Sequence, residues 1–286
     1  EPDASLLNEA DKWILSRVNR LAKDVTENMD KFELGIAVQK VYDFIWDEFC
    51  DWYVETAKYR IYHKEEEKAA ADCVLWVLKT VLKQALKLLH PFMPFITEEI
   101  YSVLVPEEES LMMSEWPQFH AEWDFPAEEN VMEHVKEITR GIRNMRAEMN
   151  VPNNRKTKVY VVCEDTEICD GISTLENSIK PLMMAEKILV QQTKENIADN
   201  AVSVVVPDAV VYLPLEDLVD FEQEMERLQK EEEKLKKEIK RAEGMLSNER
   251  FISKAPEAKV QEEREKLEKY TQMLQQVQER MAGLKK

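Results

Sequence analysis

The sequence predicts a mainly α-helical protein with a helical bundle at residues 1–126, a small α/β module at 127–214 and an antiparallel coiled-coil hairpin at 215–286. Glycine is rare, with 5 residues in 286, while 44% of residues are apolar and 34% are charged. This composition is typical of helical soluble proteins. Apolar residues recur every three to four positions through most of the chain, and short β-rich runs interrupt that pattern after residue 157.

Four apolar-faced segments with short connections predict the bundle. The first, residues 7–30, carries one apolar stripe formed by Ile14, Val18, Leu21 and Val25. Further helices are predicted at residues 34–63, 69–90 and 95–105. Pro91 ends the third helix, and Pro94 can open the fourth because a first-turn proline has no N–H to satisfy. Large aromatic residues in the next loop predict a segment packed onto the bundle: Trp116, Phe119 and Trp123.

A change of periodicity marks the α/β module. A helix at 129–149 precedes four β-rich runs, and a second helix at 172–184 lies between the first two of them. The runs are residues 158–163, 187–191, 202–206 and 210–213. This order predicts a small sheet of three or four strands.

Two heptad stretches of similar length predict the hairpin. The first contains Leu218, Phe221, Met225, Leu228, Leu235, Ile239, Ala242 and Leu246, with Glu232 interrupting. The second contains Val260, Leu267, Tyr270, Leu274, Val277, Met281 and Leu284, with Glu263 interrupting. A break at 247–256 separates them, and each arm of about 30 residues would be roughly 45 Å long. Such a hairpin has little core, so we expect a lever, spacer or contact arm.

The charge distribution limits where a nucleic acid can bind. The formal net charge is −18, and an acidic surface repels RNA. Residues 215–286 hold 16 basic and 18 acidic side chains, or −2, and the remainder holds 23 and 39, or −16. Any RNA contact therefore needs local basic patches, and the hairpin is the least repulsive region.

Several other classes of protein are disfavoured. No apolar run approaches the roughly 20 residues of a membrane span, and the first residues do not form a signal peptide. We expect a cytoplasmic protein with reduced thiols, because the four cysteines form no CxxC pair and the histidines are widely spaced. No metal site and no catalytic motif is predicted.

Three basic clusters are candidate sites. The first combines an aromatic ring with cations, suited to an unpaired base and its phosphates: Lys12, Trp13, Arg17 and Arg20. The second has three arginines on one helical face, suited to phosphates: Arg140, Arg143 and Arg146. The third lies near the hairpin tip: Lys240, Arg241, Arg250, Lys254 and Lys266.

Each cluster also has a structural interpretation. Trp13 can pack against the edge of its helix instead of stacking on a base. The arginines of the second cluster can dock onto the chain's own acidic bundle. Charges on a coiled coil commonly keep it soluble and set the register of its helices.

Several sequence strings resemble a known family. The strings DKWILSRV (11–18), FIWDEFCDWYVETAK (44–58) and LLHPFMPFITEEIY (88–101) resemble the anticodon-binding bundle of the class I aminoacyl-tRNA synthetases for valine, isoleucine and leucine. The strings RNMRAEMNVP (143–152) and LSNERFISKAPEAKVQEEREKLEKY (246–270) resemble the valyl-tRNA synthetases in particular. The resemblance covers essentially the whole chain.

The resemblance implies that the bundle binds the anticodon loop of tRNA(Val) and that the arm binds the outer corner of the tRNA. It implies base stacking by Trp13 and corner contacts by Arg241 and Lys266. The ATP-using catalytic domain and the editing domain of this family carry signatures that are missing here. We therefore expect an inactive fragment without a cofactor, a monomer whose partners are tRNA and the other domains of the same polypeptide.

Two alternatives remain. A structural protein could use the heptads of the hairpin to bind helices of other proteins. The chain could also be the equivalent region of a related synthetase, for which the arm sequence is a poor match.

Overall fold

The computed structural model describes residues 2–218, 221–248 and 257–284. The chain forms two compact units, Glu1–Leu218 and Val219–Lys286. The predicted mainly α class is confirmed, with a four-stranded sheet in the first unit. Among the described residues, no helix is long and apolar enough to cross a membrane.

The first unit begins with the bundle. Its helices are α1 (Glu9–Asp30), α2 (Leu34–Asp43), α3 (Glu55–Tyr62), α4 (Lys68–Leu89) and α5 (Pro94–Leu104). A capping box starts α1, because Asn8 Oδ1 accepts the Asp11 N–H at 2.9 Å and Asp11 Oδ2 accepts the Asn8 N–H at 3.1 Å. The apolar stripe predicted for α1 lies in the core.

The single helix predicted at 34–63 is interrupted by a π-helical segment, Phe44–Val54, which joins α2 to α3. Wider turns change which residues share a face, so the 3.6-residue period of the sequence does not identify them. Phe44, Phe49, Trp52 and Tyr53 are its buried residues. The segment thus packs four of its five aromatic residues inward, whereas Trp46 is 53% exposed and the acidic residues lie nearer to solvent.

A buried ion pair ties the start of the bundle together. The Arg60 guanidinium on α3 donates to the Asp11 carboxylate, and the hydroxyl of Tyr53 donates to the same carboxylate at 2.7 Å. Arg60 Nη2 also donates to the carbonyls of Leu6 at 3.0 Å and Ala70 at 2.9 Å. Burial beside Asp11 raises the pKa of Tyr53, so its hydroxyl remains a donor. One carboxylate therefore connects α1, the π-helical segment, α3 and the start of α4.

The loop after α5 packs on the bundle, as predicted. Trp116 Nε1 donates to Thr26 Oγ1 at 2.8 Å, and Trp123 meets Trp76 edge to face at 6.4 Å between ring centroids. Phe119, the third aromatic of this loop, is exposed.

The module contains α6 (Pro126–Glu148), α7 (Thr166–Thr174), α8 (Glu176–Met183) and α9 (Leu215–Leu218). Its strands are β1 (Thr157–Cys163), β2 (Ala185–Gln191), β3 (Val202–Val206) and β4 (Ala209–Leu213), in the order β2-β1-β4-β3. β1 is parallel to β2, and the other two pairings are antiparallel. All four predicted strands form, within two residues of their predicted bounds.

The domain boundary predicted near residue 126 does not separate two compact units. α6 packs against α1 on one side and against β3 and α7 on the other, so the bundle and the module share it. Gly141 permits this close packing, because a Cβ there would lie 2.7 Å from Val204 Cγ1 on β3. The periodicity of α6 indicated a helix but not the two partners between which it lies.

The second unit is a helical hairpin of α10 (Phe221–Leu246) and α11 (Glu257–Leu284). Its apolar core contains Leu228, Leu235 and Val277, packed against Tyr270, Leu274 and Met281. Gln278 Nε2 donates to Glu232 Oε1 at 2.8 Å, which shows that these two positions lie opposite each other in the antiparallel hairpin. Leu218, predicted as the first seam residue, instead belongs to the first unit, and residues 249–256 of the predicted turn lie outside the described residues.

We expect Asp11→Asn to lower the free energy of unfolding by about 3–5 kcal/mol, because the change leaves the Arg60 charge buried without its counter-ion. Urea titration followed by circular dichroism measures the loss. Lys58→Ala on α3 is the matched control, since it removes an exposed ion pair with Glu55 and should leave the midpoint unchanged. Equal midpoints for Asp11→Asn and the unmodified protein would contradict the importance assigned to the pair.

Candidate nucleic-acid interface

The structure does not support the stacking role predicted for Trp13. This side chain is only 1% exposed, and Lys136 Nζ of α6 lies 4.6 Å from the centroid of its ring. A base cannot reach a ring that is covered by the bundle on one side and by α6 on the other. Trp13 is therefore a core residue, in agreement with the alternative that it packs against the edge of its helix.

The cations around Trp13 are held by acidic partners. Arg17 forms a two-pronged pair with Glu48, with both N–O distances at 2.7 Å. That pairing raises the pKa of Arg17 above its usual value. Further ion pairs join Lys12 to Glu128 at 3.0 Å, and Arg20 to Asp124 at 2.7 Å and Glu129 at 2.9 Å. The three cations thus attach α1 to its neighbours, and a phosphate would have to compete with carboxylates for them.

Arg17 and Arg20 nevertheless line an open cleft of about 550 Å³. The cleft also contains Lys23, Lys40 and the exposed ring of Phe119. Lys23 Nζ lies 5.8 Å from the Phe119 ring centroid. Asp24, Asp43, Glu48 and Asp124 line the same cleft, so its four cations face four carboxylates. The cleft carries no net positive charge with which to attract RNA.

Arg146 of the second cluster makes structural contacts, which do not support the phosphate role predicted for it. It is 2% exposed, and its Nη2 donates to the carbonyls of Pro152 at 2.9 Å and Arg155 at 2.6 Å. Burial lowers the pKa of its guanidinium. Because both carbonyls belong to the turn that precedes β1, Arg146 fixes the path of the chain from α6 into the sheet.

The two other arginines of this cluster are exposed. Arg140 pairs with Glu137 at 2.6 Å, and Arg143 Nε donates to the Leu182 carbonyl at 3.1 Å. Both line a cleft of about 750 Å³ whose opposite wall includes Asp47, Glu48, Asp51 and Glu55 of the bundle. This arrangement agrees with docking of α6 onto the acidic bundle, the alternative to phosphate contact.

Three residues of the third cluster are described: Lys240, Arg241 and Lys266. The Arg241 side chain is 74% exposed, and its nearest ion pair, with Glu238, spans 3.9 Å. Lys266 pairs with Glu262 at 2.7 Å and Glu263 at 3.0 Å, which raises its pKa. Lys240 is exposed, whereas Arg250 and Lys254 lie outside the described residues.

The register of the hairpin brings Arg241 and Lys266 to the same level. Counting from the contact between Glu232 and Gln278, position 244 lies opposite Lys266. Arg241 is three residues from position 244, or about 4.5 Å along the helix axis. The two cations, on different helices, are therefore separated by less than one helical turn along the hairpin axis.

Sequence reasoning missed an exposed aromatic residue at the end of α1. Phe32 is 88% exposed and has a φ of 59°, a left-handed conformation that a bulky side chain rarely adopts. Its N–H donates to the Met29 carbonyl and the Glu33 N–H to the Asn28 carbonyl, both at 2.9 Å. This is the Schellman end of a helix, where glycine is the usual residue. A strained, exposed aromatic is a candidate contact residue.

More exposed apolar residues lie at the same end of the bundle. Phe95, at the start of α5, is 91% exposed, and Met93 beside it is half exposed. The segment at 115–116 links the two regions, because Trp116 binds Thr26 on α1 and the Glu115 carbonyl accepts from Lys87 on α4. The ends of α1 and α4 thus lie together, and the apolar end of the bundle is defined by Phe32, Leu34, Met93, Phe95 and Ile96. A break in helical periodicity followed by Phe32 rather than glycine was the only sequence signal.

A helical bundle that exposes aromatic side chains at one end, in a chain that also has a hairpin with exposed cations, has the kinds of side chain that RNA-binding proteins use for bases and phosphates. Residues 11–161 match the family model described as the anticodon-binding domain of tRNA ligase. The chain belongs to this family. Residues 220–285 match the model described as the valyl tRNA synthetase tRNA binding arm.

Similar proteins are named valine–tRNA ligases. The chain is 50% identical to that of Clostridium perfringens over 275 residues, 48% to that of Clostridium tetani over 286 and 39% to that of Bacillus subtilis over 279. These alignments cover 96%, 99% and 96% of this chain, but 31%, 32% and 31% of the relatives. The chain therefore spans about a third of the length of the relatives that it matches.

We expect Arg146→Met to lower the free energy of unfolding by about 1–3 kcal/mol, because the two partly buried hydrogen bonds that hold the turn before β1 are lost. Thermal unfolding measures the loss. Arg140→Met on the same helix is the control, with a change within about 0.5 kcal/mol since that side chain is exposed. If Arg146→Met instead left stability intact and weakened RNA binding, the structural assignment would be wrong.

Proposed function

We propose that this chain is the tRNA-recognition region of a valine–tRNA ligase. The proposal rests on the two family matches, one over the bundle and one over the hairpin. The description of each family names binding to tRNA or to its anticodon. On this proposal the chain positions tRNA(Val), and ATP-dependent aminoacylation takes place at a site outside these residues. We expect the ligase to act in the cytoplasm as a monomer, with its catalytic and editing domains as partners of this region.

We further propose that the anticodon loop contacts the apolar end of the bundle rather than Trp13. Exposed aromatic rings can stack on unpaired bases, and Phe32 and Phe95 are the most exposed large apolar residues of the chain among those described. The strained backbone of Phe32 supports this role, since a glycine at the same position would end α1 without steric cost. The ring is thus held in solvent at a cost in stability.

For the hairpin, we propose that exposed cations contact phosphates at the outer corner of the tRNA. Arg241 and Lys266 lie at one level of the hairpin on different helices, so both can reach one short stretch of backbone. Lys240, Arg250 and Lys254 are the further candidates. Phosphate would replace Glu262 and Glu263 as the partner of Lys266, and such contacts weaken as salt rises.

Replacing Phe32 should separate stability from binding. We expect Phe32→Gly to leave the protein at least as stable, because glycine adopts the left-handed conformation without a penalty of about 1–2 kcal/mol. Affinity for the anticodon stem-loop of tRNA(Val) should fall by about 1–3 kcal/mol through loss of stacking. Fluorescence anisotropy and thermal unfolding measure the two effects.

Val103→Ala is the control for Phe32→Gly, because Val103 is exposed near the far end of α5. It should change neither quantity. Unaltered stem-loop affinity in Phe32→Gly would remove the apolar end of the bundle from the anticodon proposal.

The arm can be tested with Arg241→Ala combined with Lys266→Ala. We expect weaker binding of full-length tRNA(Val), with a log–log salt slope shallower by about 1–2, because two phosphate contacts are lost. Binding of the isolated anticodon stem-loop should not change. Filter binding from 50 to 200 mM salt provides both measurements.

A matched control for the arm removes two exposed lysines of α10 farther from the tip, by Lys230→Ala with Lys234→Ala. This variant has the same net charge as the test variant. Similar losses in both would mean that tRNA responds to the overall charge of the hairpin and not to a contact at Arg241 and Lys266.

A further inference from the structure

The sheet of the first unit has one buried face and one accessible face. The buried face consists of Val159, Val161, Ile188, Val211 and Leu213, on the side where α6, α7 and α8 pack. Alternate residues point the other way and are exposed or half-buried. These outward residues are Lys158, Tyr160 and Val162 on β1, Lys187, Leu189 and Gln191 on β2, Ser203 and Val205 on β3, and Val210 and Tyr212 on β4. We call them the open sheet face.

Two tyrosines occupy the centre of the open sheet face. Tyr160 of β1 is in register with Tyr212 of β4, and these are the two inner strands. Directly paired residues of antiparallel strands have Cβ atoms about 4.5–5.5 Å apart. Leu189 and Ser203 complete the same row on the outer strands. The centre of this face is therefore aromatic, and its two rings are neighbours.

Lysines surround the two rings. Lys158 is in register with Lys187, one row from the tyrosines on β1 and β2. Lys194 Nζ lies 5.1 Å from the Tyr212 ring centroid. Asp217 accepts the backbone N–H of Lys158 at 3.2 Å, but none of the ten outward positions holds a carboxylate. The ten outward positions therefore carry a net charge of +2 in a chain with a net charge of −18, and the exposed Glu186 lies beside Lys187 on β2.

Aromatic rings flanked by cations are suited to unpaired nucleotides. The rings stack on bases of any identity, and the ammonium groups contact the phosphates between them. An acidic peptide would use the lysines but not the two neighbouring rings, and a membrane surface would need a wider apolar area. We propose that the open sheet face binds one or two unpaired ribonucleotides of an RNA strand, with Tyr160 and Tyr212 as the stacking residues.

This site differs from both contacts proposed above. It lies on the sheet, whereas the anticodon proposal concerns the apolar end of the bundle and the corner proposal concerns the hairpin. If the open sheet face does not bind RNA, the anticodon and corner proposals are unaffected. Equally, a loss of tRNA binding on replacement of Phe32 or Arg241 would say nothing about the open sheet face.

The experiment uses the full chain and a ten-residue oligouridylate that carries 4-thiouridine at its centre. After irradiation, the crosslinked peptides are identified by mass spectrometry. We expect crosslinks in β1 or β4, within residues 157–163 or 209–213. Crosslinks confined to the bundle or the hairpin, or no crosslink at all, would overturn the proposal without use of any variant.

Variants then separate stacking from charge. Tyr160→Ala with Tyr212→Ala should weaken oligouridylate binding at least tenfold, whereas Tyr160→Phe with Tyr212→Phe should stay within about twofold because the rings remain. Tyr62→Ala is the control, since it removes an exposed tyrosine from the bundle. Circular dichroism tests whether each variant folds, and equal affinities for the Ala and Phe pairs would overturn the stacking role.

A competition experiment tests whether bases are needed. Inorganic polyphosphate with the same number of phosphates carries the charge but has no bases. We expect it to displace oligouridylate at least tenfold less effectively than unlabelled oligouridylate does. Equal displacement would show that the lysines bind any polyanion, which would overturn the proposed nucleotide site.

Discussion

The buried pair between Asp11 and Arg60 is the contact on which the rest of the first unit depends. Two charges in a core are stable only when each finds several partners. Arg60 meets that condition by binding the Leu6 and Ala70 carbonyls as well as Asp11, and Asp11 does so through Tyr53 and the capping box of α1. The chain before α1, the π-helical segment and the start of α4 are thereby fixed to one another. The register of α1 against α4 then determines which residues meet at the far end of the bundle.

α6 connects the bundle to the sheet. It covers Trp13 with Lys136, approaches β3 closely at Gly141, and directs the next turn through Arg146. Most cations of the first two basic clusters are consequently occupied by the protein's own carboxylates and carbonyls. The surfaces left for a ligand are of another kind, namely the apolar end of the bundle, the open sheet face and the exposed cations of the hairpin.

Local patterns predicted the elements well and their environment poorly. Most helices, the four strands and the hairpin followed from periods of 3.6, 2 and 3.5 residues, which depend on near neighbours in the chain. The same periods predicted one helix at 34–63, where a π-helical segment intervenes, and one at 172–184, where α7 and α8 lie. The burial of Trp13 could not be predicted, because the residue that covers it, Lys136, is distant in sequence. Phe32 was missed because its exposure and its left-handed backbone follow from how α1 ends. The sharing of α6 between bundle and module could not be predicted, because periodicity shows that α6 has apolar faces but not which elements bury them.

The sequence by itself determined the mainly α class, the order of the elements, the heptad seam and the resemblance to a tRNA-binding family, since each is written in residue types and their spacing. Only the tertiary structure decided which arginines are occupied, which aromatic residues face solvent, and that Tyr160 and Tyr212 are neighbours with lysines beside them. The physical reason is that burial, ion pairing and strand register are properties of residues brought together from distant parts of the chain. The sequence contains those residues, but their contacts cannot be read from their order in the chain.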